Sequence, residues 1–184
     1  LLHVHPTKEK PYHTIITSGM SDKPMMVPIG AEEFRYGELM IALPASWPIS
    51  EEAFKDESNY WPLGILKMYA HMVHEYETWL GYGHTIPNGD PAAPFARNTN
   101  LCCGMLLHPT LMPPGFRKLR VRDDKTILFY ALVPIYREEM DFKLRESAEQ
   151  LEARLRQAHV SELLDIARVN VCPKKKLFGF FGLL

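Results

Sequence analysis

The chain has 184 residues, 46% of them hydrophobic and 23% charged, which is the composition of an ordinary globular protein of one domain. Its 21 basic and 22 acidic residues give a net charge of −1, so the chain as a whole has no field that would attract nucleic acid or anionic lipid. The three cysteines, of which Cys102 and Cys103 are adjacent, argue against a disulfide framework and predict a reducing, cytoplasmic compartment.

The first third of the chain is predicted to contain two strands. Residues 1–11 hold two prolines and mixed charges, and they are expected to form a loose lead-in. A β-rich run at 12–17 predicts a short strand that stops at a Ser-Gly pair. Large side chains alternate on both faces of residues 34–43, which predicts a strand that is covered on both sides.

A helix is predicted next, followed by an irregular segment. The helix is expected to begin at Trp61-Pro62, because proline in the first turn costs no hydrogen bond, and to stop before Gly81. Residues 81–98 are rich in glycine and proline and predict a structured loop. Loops held by a rigid scaffold are where binding residues concentrate, so this segment is a candidate site.

The second half of the chain alternates between strand and helix signals. Residues 101–107 predict an apolar strand, and 118–122 with 126–136 predict a hairpin. Residues 140–158 have apolar side chains every three or four positions and predict one long helix. Residues 160–169 are expected to extend that helix or to form a second, short one. These elements together predict an α+β fold.

Residues 12–172 are expected to form the single domain, with a C-terminal tail at 173–184. The tail has three lysines followed by an apolar stretch that is too short to span a bilayer, and no longer run in the chain predicts an integral membrane span. Docking of the tail on the protein's own core or on a neighbouring subunit is favoured. The alternative is a membrane-peripheral factor that rests the tail on a lipid surface.

Two groups of residues raise the alternative of an enzyme. His71 and His74 share one face of the predicted helix, but their spacing matches no zinc-protease motif, and surface histidines are the favoured interpretation. A hydrolase would need His71 and His74 to converge with His84 and Glu38 in three dimensions. No nucleophile elbow surrounds the serines that flank Gly19, which instead predict a turn. No cofactor or metal site is therefore expected.

Four segments resemble the suppressor-of-fused family. They are T-S-G-M-S-D at 17–22, Y-G-E-L-M-I-A-L-P at 36–44, the W-P pair at 61–62, and G-H-T-I-P-N at 83–88. These segments occur in the family's order and span nearly the whole chain. The resemblance implies a mixed, largely antiparallel β-sheet packed with helices, in agreement with the elements predicted above.

The resemblance also implies that the chain binds another protein and has no catalytic site. The animal member captures a peptide as an added strand between two lobes, and this chain looks like the first lobe alone. Its compact form is similar to bacterial members regarded as immunity proteins, which neutralise cognate toxins by binding them. Carrying the family's contact region over to this sequence gives a protein-binding site made of Trp79, Tyr82, His84, Asn88 and Asp90.

Overall fold

A computed structural model describes residues 1–173 and shows one mixed sheet with helices on both faces. The strands are β1 (Leu2–Val4), β2 (Tyr12–Ile16), β3 (Gly37–Pro44), β4 (Thr85–Pro87), β5 (Cys103–Leu107), β6 (Lys118–Arg122) and β7 (Lys125–Ile135). The helices are α1 (Glu57–Glu75), α2 (Arg137–Arg145) and α3 (Ala148–Gln157).

The sheet runs in the order β1-β2-β3-β7-β5-β4, and β6 pairs with β7 beside this path. Every pairing is antiparallel except that of β3 with β7, which is parallel. The long strand β7 therefore holds the sheet together, with β3 along one side and β5 and β6 end to end along the other. The predicted α+β fold with a mixed, largely antiparallel sheet is confirmed.

Alternating side chains of the central strands form the core on the two faces of the sheet. One face carries Leu39 and Ile41 and packs against Trp61, Leu66 and Tyr69 of α1. On the other face Met105 and Val133 pack with Leu151 of α3 in a second cluster. Because both faces are covered, β3 is buried from Gly37 to Leu43, as its sequence predicts.

The first helix begins four residues earlier than predicted and ends before Gly81, as predicted. It begins at Glu57, four residues before Trp61, because the Asp56 carboxylate accepts a hydrogen bond from the Ser58 N–H and caps it. Pro62 therefore lies inside the helix and cannot donate to the Ser58 carbonyl. The Asn98 side-chain amide replaces that donor at 2.9 Å. The helix ends at Glu75, and an irregular connection leads from there to β4.

The single helix predicted at 140–158 is wrong, because it is two helices, α2 and α3. Ser147 breaks the run, since its backbone is extended and its hydroxyl accepts a hydrogen bond from the Gln150 N–H. Leu144, which the prediction placed on the buried face, is 66% exposed. Residues 160–169 contain no helix, and Leu163 instead forms an isolated bridge with Ala42 of β3.

The expected loose lead-in contains the edge strand β1, which pairs with β2 from Leu2 to Val4. The domain limits at 12 and 172 remain predictions. Residues 174–184, and with them nearly all of the predicted C-terminal tail, lie outside the described residues. In the part of the chain that the structure describes, the helices are too short or too polar to cross a membrane.

Candidate protein-binding surface

Trp79 lies in the connection between α1 and β4, where its indole is half-buried. Its ring centroid is 6.0 Å from that of Phe34 and 4.4 Å from that of His84, which meets the indole edge to face. Gly81 makes this arrangement possible, because a Cβ at that position would lie 2.8 Å from the indole ring. Trp79 and His84, both predicted site residues, are therefore in direct contact.

His84 presents an uncharged ring to this cluster. Burial and the nearby positive charge of Lys143 lower its pKa, against the opposing effect of a hydrogen bond with the backbone of Trp79. The usual pKa of histidine is about 6.5, so this lowered value keeps the ring neutral at pH 7. A neutral ring can be covered by an apolar surface of a partner, whereas covering a charged ring would cost desolvation free energy.

Exposed apolar side chains also lie on the segment between β2 and β3 and at the end of α1, which adjoin the Trp79 segment. Met26 donates its N–H to the Thr78 carbonyl at 3.3 Å, which brings the two connections together. Met26 is 63% exposed, Ile29 is fully exposed, and Tyr76 at the end of α1 is 69% exposed. We call Met26, Ile29, Tyr76, Trp79 and His84 together the Trp79 surface.

Tyr82 points toward α3, away from this group of contacts. Its hydroxyl donates to the Glu152 carboxylate, and its ring stacks on His108 with the centroids 4.8 Å apart. Burial and the Glu152 carboxylate raise the pKa of Tyr82 well above its usual value, so the phenol remains a hydrogen-bond donor. Tyr82 thus anchors the connection to α3, while Trp79 packs with Phe34 and with His84.

Asn88 and Asp90 lie beyond β4 and differ from each other in role. The Asn88 amide donates to the carbonyls of Ala93 and Pro94 at 2.9 and 3.1 Å, so this side chain closes the loop on itself. Asp90 is exposed and precedes a cis peptide bond to Pro91. Asp90 is therefore the better placed of the two to meet a partner, since its carboxylate forms no ion pair among residues 1–173 and it faces solvent.

Strand β4 forms one end of the sheet, beside the Trp79 surface. Ile86 is opposite Gly104, and the alternation of antiparallel bonds turns the backbone groups of Thr85 and Pro87 away from β5. Proline has no N–H, so only Thr85 offers a donor along this outer edge. The edge therefore suits capture of an extended peptide poorly, and the side chains of the Trp79 surface are the better candidate for a contact.

The residues of the alternative hydrolase do not converge on one site. Both oxygens of the buried Glu38 carboxylate are occupied: Oε1 accepts from the N–H groups of Gly19 and Ser21 and from the Ser21 hydroxyl, and Oε2 accepts from the Thr17 hydroxyl. Gly19 has a φ of 114°, as the predicted turn requires. Glu38 thus fixes this turn and is not positioned as an acid or a base.

The histidines of that alternative are also placed apart. His71 and His74 line a cavity of about 400 Å³ between α1 and the turn at Gly19, whereas His84 lies against Trp79. The His74 Nε2 is 2.8 Å from the Met20 carbonyl and donates a hydrogen bond to it. This bond stabilises the turn at Gly19. No pair of these four side chains is joined by a hydrogen bond within the described residues, as an acid–base pair requires.

Nearly the whole described chain, and not only this surface, corresponds to a known family. The family model for the suppressor of fused protein (SUFU) matches residues 1–169. The chain belongs to the suppressor of fused family. Comparison with curated protein sequences found no match.

Solved structures of this family share the fold at low sequence identity. A SUFU homologue from Neisseria gonorrhoeae FA 1090 is 20% identical, with a TM-score of 0.61 over 92% of this chain and 75% of that one. The structure of the Sufu–Fu complex is 15% identical, with the same TM-score of 0.61 and the same coverage of 92% and 75%. Drosophila Suppressor of Fused gives 15% identity and a TM-score of 0.61, and the match covers 92% of this chain but 42% of that one.

Sequence reasoning missed the half of the Trp79 surface that comes from the segment between β2 and β3. Met26, Ile29 and Phe34 were not predicted as site residues, because the ring contact of Phe34 with Trp79 and the backbone bond of Met26 to Thr78 form only in the folded chain. A signal was present, since Met26 and Ile29 are apolar residues in a segment with two prolines, where a regular buried strand is not expected.

Proposed function

We propose that this member of the suppressor of fused family is a non-catalytic protein-binding domain that uses the Trp79 surface to contact its partner. The observation that carries the proposal is the group of exposed apolar side chains on two adjoining segments, beside an indole that is already half-buried. Single exposed apolar residues are common on proteins, but a group of them around an aromatic side chain is typical of an interaction site.

The five predicted site residues have distinct places in this proposal. Trp79 and His84 supply the apolar floor of the contact, and Asp90 supplies a charge beyond it. Tyr82 and Asn88 act indirectly, because their side chains hold the connection and the loop in place through Glu152 and through backbone carbonyls. This division agrees with known interfaces, in which a few central side chains carry most of the binding energy.

The finer proposal is a bacterial toxin-neutralising or regulatory protein, which acts by occupying a surface of its partner. Support comes from the family and from the similar Sufu–Fu complex, in which a domain of this fold is part of a protein assembly. The cysteines Cys102, Cys103 and Cys172 are free thiols, which supports the expectation of a cytoplasmic compartment. A cognate toxin would be bound directly, with no chemistry required of this chain.

The test compares two double variants that add the same charges to different exposed apolar positions. Met26→Asp/Ile29→Asp alters the Trp79 surface, and Leu119→Asp/Val121→Asp alters the exposed strand β6, where both side chains are about half exposed. All four positions are at the surface, so both variants should fold, and circular dichroism with thermal unfolding checks this. Each protein is then used to capture partners from the source cell, and the captured protein is purified for titration calorimetry.

We expect the parent and the β6 variant to bind the purified partner, and the Trp79-surface variant to lose at least about tenfold in affinity, since two central contacts are removed. Equal affinity of all three proteins would show that the partner binds elsewhere. Co-expression separates the finer alternatives. If the partner stops growth when expressed alone and the parent restores growth, the role is immunity; if the partner is harmless, the role is regulatory.

A further inference from the structure

Three histidines lie close together at the edge of the sheet formed by β1 and β2. His3 belongs to β1, His5 follows that strand, and His13 belongs to β2. Val4 lies opposite Thr14, so continuation of the register puts His5 opposite His13 on one face of the pair. His3 and His5 are two residues apart and share that face, because side chains alternate along a strand.

The three rings are close enough to share one ion. The His3 Nε2 is 2.9 Å from the His13 Nδ1, and one nitrogen of each of the three rings lies within 4.8 Å of the others. Zinc bonds to imidazole nitrogen are 2.0–2.1 Å long, which in a tetrahedron separates the ligand nitrogens by about 3.3 Å. Small rotations of the rings convert the observed spacing into that one. Among residues 1–173, this is the group of histidine, cysteine or acidic side chains whose geometry could hold a metal ion.

A backbone carbonyl orients one of the rings for this role. The His13 Nε2 is 3.3 Å from the Ala45 carbonyl, and only a nitrogen that carries hydrogen can bond to that oxygen. In the neutral ring with its proton on Nε2, Nδ1 has no hydrogen, and its lone pair is directed at His3. Metal-bound histidines are commonly held in this way, with the second nitrogen donating to a carbonyl.

We propose that His3, His5 and His13 bind a Zn²⁺ ion, with water or a further group completing its coordination. Three neutral imidazoles with an open fourth position are a ligand set that zinc uses in proteins. The ion would replace the hydrogen bond between His3 and His13 and link β1 to β2. Its structural effect would be to hold in place an edge strand that has only three residues.

The first experiment measures zinc binding by titration calorimetry at about pH 8, where free histidine is neutral, on protein that carries no polyhistidine tag. The variant is His5→Gln, at an exposed ring that packs into no core. The matched control is His71→Gln, an exposed histidine on α1 whose neighbour His74 makes it the competing two-histidine site. Thermal unfolding in a chelator verifies that both variants fold as the parent does.

The expected result is one zinc ion per chain for the parent and for His71→Gln, with an affinity at least about tenfold lower for His5→Gln. Zinc should also slow amide hydrogen exchange in β1 of the parent but not of His5→Gln. Binding that is unchanged in His5→Gln, or lost in His71→Gln, would overturn the proposal. So would the absence of binding in a folded parent, which would leave the three rings as a hydrogen-bonded surface cluster.

Discussion

Replacement of Gly83 by alanine tests how the connection between α1 and β4, which contains Trp79, packs against α3. Gly83 has a φ of 78°, and a Cβ at this position would lie 2.8 Å from the Cβ of Ala148, the first residue of α3. The left-handed backbone costs an alanine about 1–2 kcal/mol. Two carbon atoms at that distance overlap, and crowding of this kind costs about 1–3 kcal/mol more.

Gly89 provides the matched control, because it has a similar φ of 86° but only the Pro91 carbonyl oxygen near its would-be Cβ, at 3.7 Å. Gly89→Ala should therefore lower the free energy of unfolding by about 1–2 kcal/mol, the backbone cost alone. Gly83→Ala should lower it by about 2–5 kcal/mol, the sum of backbone strain and crowding. Urea unfolding followed by circular dichroism measures both values.

A second substitution identifies the source of the difference. Ala148→Gly removes the methyl group that the new Cβ meets, and by itself should cost no more than about 1 kcal/mol as glycine replaces alanine in a helix. In the double variant the crowding disappears, so the loss should be smaller than the sum of the two single losses by about 1–3 kcal/mol. If Gly83→Ala and Gly89→Ala are equally stable, or the double variant shows no such recovery, the contact with α3 does not fasten the connection.

Three further predictions each test one interaction of the fold. Arg168→Met leaves the buried Glu139 carboxylate without its ion pair and should cost about 3–5 kcal/mol of unfolding free energy; adding Glu139→Gln, which removes the charge, should recover part of that loss in urea titrations. The lowered pKa of His84 means that the unfolded chain binds more protons, so stability should fall as the pH drops from about 7 to 5. The decrease in unfolding free energy with falling pH should be smaller in His84→Gln than in the parent, and unchanged in a variant of an exposed histidine. Asn98→Ala should cost about 1 kcal/mol, and Pro62→Ala in the same chain should restore that loss, because it returns the N–H that the helix lacks.

The central strands were predictable because their side chains are arranged by burial, whereas β1 and β4 lie in segments that were predicted to be a loose lead-in and a loop. The covered strand β3 and the β6–β7 hairpin follow their predictions closely, with β3 at Gly37–Pro44 and the hairpin strands at Lys118–Arg122 and Lys125–Ile135. In β3 and β7 the run of large apolar residues reflects burial, whereas β6 is exposed along its whole length and was predicted from its pairing with β7 around a turn. A local pattern is sufficient when the local sequence determines the burial.

The helices were less predictable because their ends depend on capping, which apolar spacing does not report. The run of leucines and alanines at 140–158 keeps its helical period across a break, yet Ser147 followed three residues later by Gln150 is the sequence signal of a new helix start. Asp56 gave a similar signal before α1. Both capping residues are typical of helix N-termini, and they indicate where α1 and α3 begin.

The two candidate sites differ in how much of them a sequence can reveal. The Trp79 surface was half predictable, because Trp79 and His84 belong to one short segment with a family resemblance, while the segment of Met26 and Ile29 is brought beside it only by the fold. The histidine cluster was hidden entirely, since β1 has too few residues to show a period of two and was expected to be loose. Its pairing with β2 is what aligns His3 and His5 with His13. A three-residue edge strand has few backbone bonds to hold it, and the hydrogen bond between His3 and His13 adds a side-chain link across the pair. A metal ion shared by those side chains would add a second link between β1 and β2 at this edge of the sheet.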